Sequence, residues 1–191
     1  MTGQWLVAND GVRWWYDSGA LSLDFAHTGV LDGPPAWEQL HSPDDLSSWL
    51  GDRFERLADD AGDRDLADAL NLRAAIYRLA RAQADGTAVK ADDVDTLNLY
   101  AATPDIPPAL DGGSRQAGRT RVRIGQALSA IARDAVHLLG HAADGRIREC
   151  SADNCQLVFF DESRTNNRRW CSMQRCGNRA KVKAFRAKEK L

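Results

Sequence analysis

The sequence predicts a mainly α-helical N-terminal domain with a short β element, followed by a small C-terminal module in which a β-hairpin and a helix are held together by cysteines. Three observations lead to this prediction. Apolar residues recur at helical spacing through most of residues 1–145, all four cysteines lie within residues 150–176, and the charge changes sign near residue 146. We therefore expect two domains, 1–145 and 146–191.

The N-terminal domain begins with a short strand and a helical turn. Aromatic and β-branched residues in 12–16 run up to the turn residues at 17–19, which is typical of a strand that ends in a turn. In the following segment, 20–28, Leu21 and Phe25 are expected to point inward, together with Leu23. Asp24 and His27 lie beside this apolar side.

The next helix begins at Ser42. Ser42 is the expected N-cap, Pro43 occupies the first helical position, and Asp45 completes a capping box. Its buried stripe has the spacing i, i+3, i+4 and consists of Leu46, Trp49 and Leu50.

Three further helices are predicted, at 65–84, 91–101 and 126–141. The segment 103–120 is rich in proline and glycine and should be a long loop, with a short strand at 119–124. The apolar residues of the helix predicted at 91–101 are Val94, Leu97 and Leu99.

A few polar residues of this domain could bind a small molecule. Arg73 and Tyr77 lie four residues apart on one helix and, with Asp24 and His27, are candidates for a ligand pocket. The competing interpretation is a core histidine with satisfied hydrogen bonds and an arginine that packs over a ring. No phosphate loop, dinucleotide fingerprint or nucleophile motif occurs, so we do not expect an enzyme.

Composition indicates a globular protein with a real core. Hydrophobic residues make up 43% and charged residues 27% of the 191 residues, and no apolar run is long enough to span a membrane. The N-terminus does not have the pattern of a secretory signal. We expect a bacterial cytoplasmic location, the bacterial origin being suggested by the strong preference for arginine over lysine.

Charge is distributed very unevenly. Residues 146–191 contain 12 Lys or Arg and 5 Asp or Glu, a charge of +7, so residues 1–145 carry −9 of the total of −2. This asymmetry favours a terminal module that meets a polyanion, although a solvated basic surface would look the same.

The cysteines follow the pattern C-x4-C-x15-C-x4-C. Two disulfides or one tetrahedral zinc site could explain it, and a reducing compartment favours zinc. Four thiolates leave no open coordination position, which indicates one structural Zn²⁺ per chain. The expected ligands are Cys150, Cys155, Cys171 and Cys176.

Between and after the cysteine pairs, the pattern changes from strand to helix. An apolar run, a polar turn at 162–167 and a return to Trp170 predict a hairpin, and helix formers follow the second pair. This order is that of a treble-clef-like zinc finger. Gly177 would let the chain pass close to sulfur, and Val182 and Phe185 would pack on Trp170 or on the hairpin.

One face of the terminal helix is basic. At 100° per residue, Arg179, Lys183, Arg186 and Lys190 fall on one narrow stripe. A phosphate backbone is the natural partner of such a stripe. The candidate nucleic-acid-binding residues are Arg164, Arg168, Arg169, Arg175, Arg179, Lys181, Lys183, Arg186 and Lys190.

The last 40 residues resemble the CGNR zinc-finger family of bacteria. The motifs that carry the resemblance are the four cysteines, FFDESR, RRWCSM and the run Cys176–Arg179 that gives the family its name. The resemblance implies a zinc finger that binds DNA.

Residues 5–142 are similar to the ABATE domain, which accompanies this finger in proteins assigned to stress-induced transcription. LSLDFAHT, the DLSSWL helix, LRAAIYRLA and IARDAVHLL carry the similarity, and His27 stands where the family's LDF-x-N-T pattern has asparagine. The resemblance implies a mainly helical sensory or regulatory domain.

Two hypotheses on function therefore stand. The first is a zinc-dependent, DNA-binding transcription regulator that responds to stress, with a homodimer and an unknown small-molecule effector as further candidate partners. The second is a zinc-stabilised protein-interaction module without direct DNA binding, in which the basic finger docks on an acidic protein surface.

Overall fold

The computed structural model describes most of the chain. The described residues form a body of five helices, a β-hairpin near the N-terminus and a C-terminal zinc-finger module with a helix of its own, as the fold class predicts. The described residues are 2–7, 11–29, 38–108, 110, 121–140 and 145–189.

The helical body is built around one long central helix. Helices α1 (Leu21–Ala26), α2 (Pro43–Gly51), α4 (Ala91–Ala101) and α5 (Ile124–Gly140) all pack against α3 (Asp63–Asp85) or against each other. The largest fully buried apolar side chains of this core are Phe25, Leu46, Leu50, Leu72, Ile76 and Ile131. Their burial is the main favourable term in folding of the body.

Local sequence signals set the helix ends. The capping box at α2 is present, because Ser42 Oγ accepts a hydrogen bond from the Asp45 backbone N–H and the Asp45 carboxylate accepts one from the Ser42 backbone N–H at 2.8 Å. Helix α3 ends at Gly86, whose φ of +65° is the left-handed conformation that glycine adopts without strain.

Two details of the body differ from the predictions. Of the apolar residues predicted for α4, only Leu97 is buried, against α3 and α5, and Val94 is half-buried. Leu99 is 71% exposed. The predicted strand at 119–124 is reduced, in its described part, to a single parallel bridge between Val122 and Leu57.

Two antiparallel hairpins complete the fold. Strands β1 (Gln4–Val7) and β2 (Arg13–Tyr16) pair with Trp5 opposite Trp15. Strands β3 (Ile147–Glu149) and β4 (Val158–Phe160) pair on either side of the first cysteine pair.

The strand pairing of the finger differs from the prediction. The hairpin was expected within 156–170, but β4 pairs with β3, which precedes Cys150, and the return segment 168–170 is not a strand. After a π-helical turn, Met173–Gly177, helix α6 (Asn178–Lys188) ends the described chain.

Among the described residues, no helix has both the length and the apolar character that crossing a membrane requires.

Candidate metal centre and basic helix

Four cysteine side chains meet in the C-terminal module. Their sulfur atoms all lie within 4.8 Å of one another, and all four residues are buried. The Sγ–Sγ distance is 3.6 Å between Cys155 and Cys171 and 3.5 Å between Cys171 and Cys176. The four cysteines can therefore act together as one ligand set.

These distances distinguish zinc from disulfides. A disulfide requires about 2.05 Å between sulfurs, and all four cysteines are free. Four thiolates at about 2.3 Å from a tetrahedral Zn²⁺ would be about 3.8 Å apart, close to what is seen. The four cysteines can thus hold one zinc ion, as the sequence predicts, and zinc would supply the cation that four converging thiolates need.

The ionisation of the thiols reflects how closely they are gathered. Hydrogen bonding to the Cys150 thiolate raises the pKa of Cys171, and burial raises it further. The same contact with Cys150 raises the pKa of Cys155. A divalent cation would reverse this penalty by stabilising all four thiolates.

Backbone and side-chain donors surround the sulfurs. The Cys171 N–H donates to Cys150 Sγ at 3.3 Å, and Arg179 Nη2 lies 3.8 Å from Cys176 Sγ. Arg179 also donates to Asn154 Oδ1 at 2.7 Å, which fixes the guanidinium beside the site. Such donors orient the ligands and offset the excess negative charge of a four-thiolate zinc site.

The turn between β4 and Cys171 is built on Asp161. Its side chain is fully buried and accepts hydrogen bonds from the backbone N–H of Ser163 at 2.9 Å and of Arg168 at 2.8 Å. These bonds, with a backbone bond from Asp161 N–H to the Arg146 carbonyl, close the loop that brings the second cysteine pair to the first. Asp161 of the FFDESR motif therefore has a structural role, whereas Arg164 of the same motif is exposed.

Arg168 also has a structural position. Its guanidinium donates to the carbonyl oxygens of Asp17, Trp170 and Cys171, and it lies 4.2 Å over the Phe159 ring. These contacts tie the turn to the segment that precedes α1. The basic composition of the module could not reveal that this arginine differs from its neighbours.

The remaining basic candidates lie in different surroundings. Arg175, Arg179, Lys183 and Arg186 line one side of the π turn and α6. Arg164, Arg169 and Lys181 are exposed elsewhere, and Lys190 lies outside the described residues.

Helix α6 is exposed all round beyond its first turn. Every residue from 181 to 189 is exposed, including Val182 at 48% and Phe185 at 62%. The expectation that these two residues pack on Trp170 or the hairpin is therefore wrong. Gly177 instead makes the close packing: a Cβ there would lie 2.7 Å from Met173 Sδ.

The four candidates for a ligand pocket are buried in the body. Asp24 accepts from Ser18 Oγ at 2.7 Å and from the Gly3 N–H, and burial raises its pKa. Arg73 forms a two-fold hydrogen-bonded ion pair with Glu38, with Nη1 to Oε1 at 2.6 Å. Glu38 was not among the candidates, since its separation from Arg73 gives no sequence signal.

His27 joins the body to the finger. Its Nε2 accepts a hydrogen bond from the Val158 backbone N–H at 3.0 Å, and its ring meets Tyr16 and Tyr77 edge-on at 5.5 and 5.7 Å. Burial lowers the pKa of His27 to about 3, so the imidazole is neutral at pH 7. Next along β4, the Phe160 N–H donates to the Ser18 carbonyl at 2.7 Å.

The N-terminal hairpin packs directly on the cysteine cluster, a contact that no feature of the sequence predicts. Leu6, Trp14 and Tyr16 share one buried cluster with the four cysteines, Leu157 and Phe159. The Tyr16 hydroxyl donates to the Val158 carbonyl, and Arg175 stacks 4.0 Å over the Trp14 ring. The aromatic residues in 12–16 predict a strand, but they do not identify the surface on which the strand packs.

Comparison with known protein families gives two matches in succession. Residues 19–142 match the ABATE family, described as "Putative stress-induced transcription regulator", and residues 146–189 match the CGNR zinc finger. A search of curated proteins gives no match. Both families are of regulator and zinc-finger types, and their order along the chain confirms the two resemblances found in the sequence.

Proposed function

Since the chain belongs to the ABATE family and continues into a CGNR zinc finger, we propose that it is a zinc-dependent, DNA-binding transcription regulator whose terminal helix contacts DNA. The observation that carries the proposal is the exposure of α6. A helix that buries no face against its own protein while displaying several cations is available for a polyanionic partner.

The charges of α6 are free to meet phosphate. Lys181, Arg186 and Lys188 are exposed, and the Lys183–Asp153 pair, at 2.6 Å, lies in solvent, where an ion pair contributes little. Within the described residues, the acidic body does not cover 181–189, which argues against docking of the finger on its own body. The helix can therefore reach an extended ligand without first breaking a strong contact.

Zinc has a structural part in this proposal. Cys176 lies in the π turn that leads into α6, so the metal would fix the base of the helix against the strands. Only the base is held; the distal turns project into solvent.

The proposal is tested by neutralising two exposed cations of α6. In the full zinc-loaded chain, K183Q/R186Q should bind a mixed-sequence 30-base-pair duplex about 60-fold more weakly at 0.1 M monovalent salt, if each residue neutralises one phosphate. Fluorescence anisotropy measures the affinity, and elemental analysis should still find one zinc per chain. With about five phosphates contacted, the wild-type slope of log affinity against log salt should be about −4 to −5.

A matched control removes two exposed arginines of the body. R64Q/R123Q changes the net charge equally and should leave DNA binding within twofold of wild type, because both residues are exposed on the helical body and neither lines the surface beside α6. If both double variants lose affinity equally, the effect is one of net charge and the proposed site is wrong.

One observation favours the second candidate function. Val182 and Phe185 form an exposed apolar pair on α6, and such a pair is common at protein interfaces. If the wild-type chain binds no duplex at 0.05 M salt, the finger is a protein-interaction module instead.

The other parts of the proposal concern regulation. A small-molecule effector in contact with Asp24, His27, Arg73 and Tyr77, a homodimer, and a bacterial cytoplasmic location stay predictions. An effector at these residues would have to displace the internal contacts that they make, which would couple its binding to the junction with the finger.

A further inference from the structure

The N-terminal hairpin is packed closely against the zinc module. The inner-face side chains of the hairpin, Leu6, Trp14 and Tyr16, are at most 3% exposed and pack with the cysteines. Arg175, which lies one residue before Cys176, stacks on the Trp14 ring. Residues far apart in the sequence are thereby fixed beside the base of α6.

A groove separates this hairpin from α6. It has a volume of about 810 Å³ and is lined by residues 12–14 on one wall and by residues of 174–187 on the other. Five cations line it, and no Asp or Glu is among the groove-lining residues in the described part of the chain. These cations are Arg13, Arg175, Arg179, Lys183 and Arg186.

The groove is also apolar along its rim. Val12, at 53% exposure, and Val182, at 48%, lie on opposite walls. A ligand suited to this lining has regularly placed negative charges and apolar edges. The sugar-phosphate strand of a nucleic acid has both, because phosphates alternate with deoxyribose.

Arg13 lies at the rim of that wall, on the exposed face of β2 rather than on the inner face that carries Trp14. It is exposed at the start of β2, opposite Val7, and its guanidinium lies 5.2 Å from the centre of the Trp5 ring. The ring restrains the side chain without neutralising its charge, so less entropy is lost on binding a phosphate.

We propose that the β1–β2 hairpin is the second wall of the DNA site, with one strand of the duplex lying in the groove between β2 and α6 and Arg13 binding a phosphate. This inference rests on the proposed function and extends it. A single small finger buries only about 600–1,000 Å² on DNA, so a useful site needs a second contact. The hairpin supplies that contact within the same chain.

The test is a neutral substitution at Arg13. R13Q in the full zinc-loaded chain should bind the 30-base-pair duplex about eightfold more weakly at 0.1 M salt and should reduce the salt slope by about 0.9. R13K keeps the charge and should stay within twofold of wild type. R64Q is the matched control and should bind as wild type does.

The outcomes separate this inference from the proposed function. If R13Q keeps wild-type affinity and slope while K183Q/R186Q loses binding, the hairpin is not part of the site and the proposed function stands. If the wild type binds no duplex, both fail. If polyglutamate of matched charge binds as tightly as the duplex and R13Q weakens both equally, the groove takes an acidic peptide and the DNA assignment is overturned.

Discussion

Acid should weaken the junction between the helical body and the zinc finger through His27. The His27 imidazole accepts a hydrogen bond from the Val158 N–H and is 1% exposed, so protonation would place an N–H against an N–H in a buried site. H27Q keeps an acceptor that can reach Val158 but cannot titrate. The pH dependence of stability should therefore differ between the two proteins.

The size of the difference follows from the lowered pKa. The unfolded chain binds the proton with the ordinary pKa of 6.5 and the native chain with a pKa of about 3. Below pH 6.5 the unfolded state thus binds more protons, and native stability falls as the pH falls until about pH 3. The loss through His27 is about 1.4 kcal/mol at pH 5.5 and about 2 kcal/mol at pH 5.0.

Urea unfolding at pH 7.5, 6.5 and 5.5 with saturating zinc measures this effect. At pH 7.5, H27Q should be less stable than wild type by on the order of 1–3 kcal/mol, because the edge-on contacts with Tyr16 and Tyr77 are lost. Between pH 7.5 and 5.5 the gap should narrow by about 1.4 kcal/mol.

Other titrating groups do not obscure the comparison. Asp24 and the cysteine thiols are present in both proteins, so their contributions cancel in the difference. S42A, which is destabilised without any change in the junction, controls for lower stability as such. Parallel pH profiles for wild type and H27Q would refute the assigned burial and hydrogen bond of His27.

Two further predictions concern zinc and helix capping. C171S, or chelation of zinc from the wild type, should cost the finger on the order of 10 kcal/mol of folding free energy. Hydrogen exchange should then show loss of protection in β1–β2 as well as in residues 147–188, while α3 and α5 stay protected. Retained protection in β1–β2 without zinc would contradict the shared core. S42A should lower the free energy of unfolding by about 1 kcal/mol, because the Asp45 N–H at the start of α2 loses its acceptor. The urea midpoint measures this effect. An unchanged midpoint would show that water replaces the Ser42 hydroxyl as acceptor without cost.

Local signals explain the parts of the fold that the sequence predicts well. Helix α4 has the predicted bounds 91–101, and the cap at Ser42 is present, because both depend on residues within a few positions. The cysteine site is equally predictable from the sequence, since the type and spacing of its ligands define it without knowledge of the rest of the chain.

Long-range pairing explains the errors. A short apolar run followed by a polar turn predicts a strand but does not identify its partner, so the sequence pattern pairs β4 with the segment after it, whereas in the structure β4 pairs with β3. A count of charges also lacks long-range information, so it places Arg168 and Arg186 in one set of candidate DNA-binding residues. In the structure Arg168 donates to three carbonyl oxygens, whereas Arg186 is exposed on α6.

The junction bears on how the chain divides into folding units. β4 gives its Val158 and Phe160 N–H groups to His27 and Ser18, so the edge of the finger's sheet is satisfied by the body. Gly19 permits this approach, because a Cβ there would lie 2.8 Å from the Phe160 carbonyl oxygen. The predicted boundary at 145/146 is thus crossed by backbone hydrogen bonds and by a shared apolar core.

Segment 146–191 alone would therefore lack part of its own interior. Without Leu6, Trp14 and Tyr16, the cysteine cluster would expose apolar surface that the hairpin now covers, and the metal would have to stabilise a smaller core. The same contacts join the helical body to the base of α6, because His27 at the end of α1 binds β4, and β4 and the hairpin pack on the cysteine cluster. If the proposed DNA binding is regulated by the body through this junction, substitutions at His27 should alter DNA affinity as well as stability.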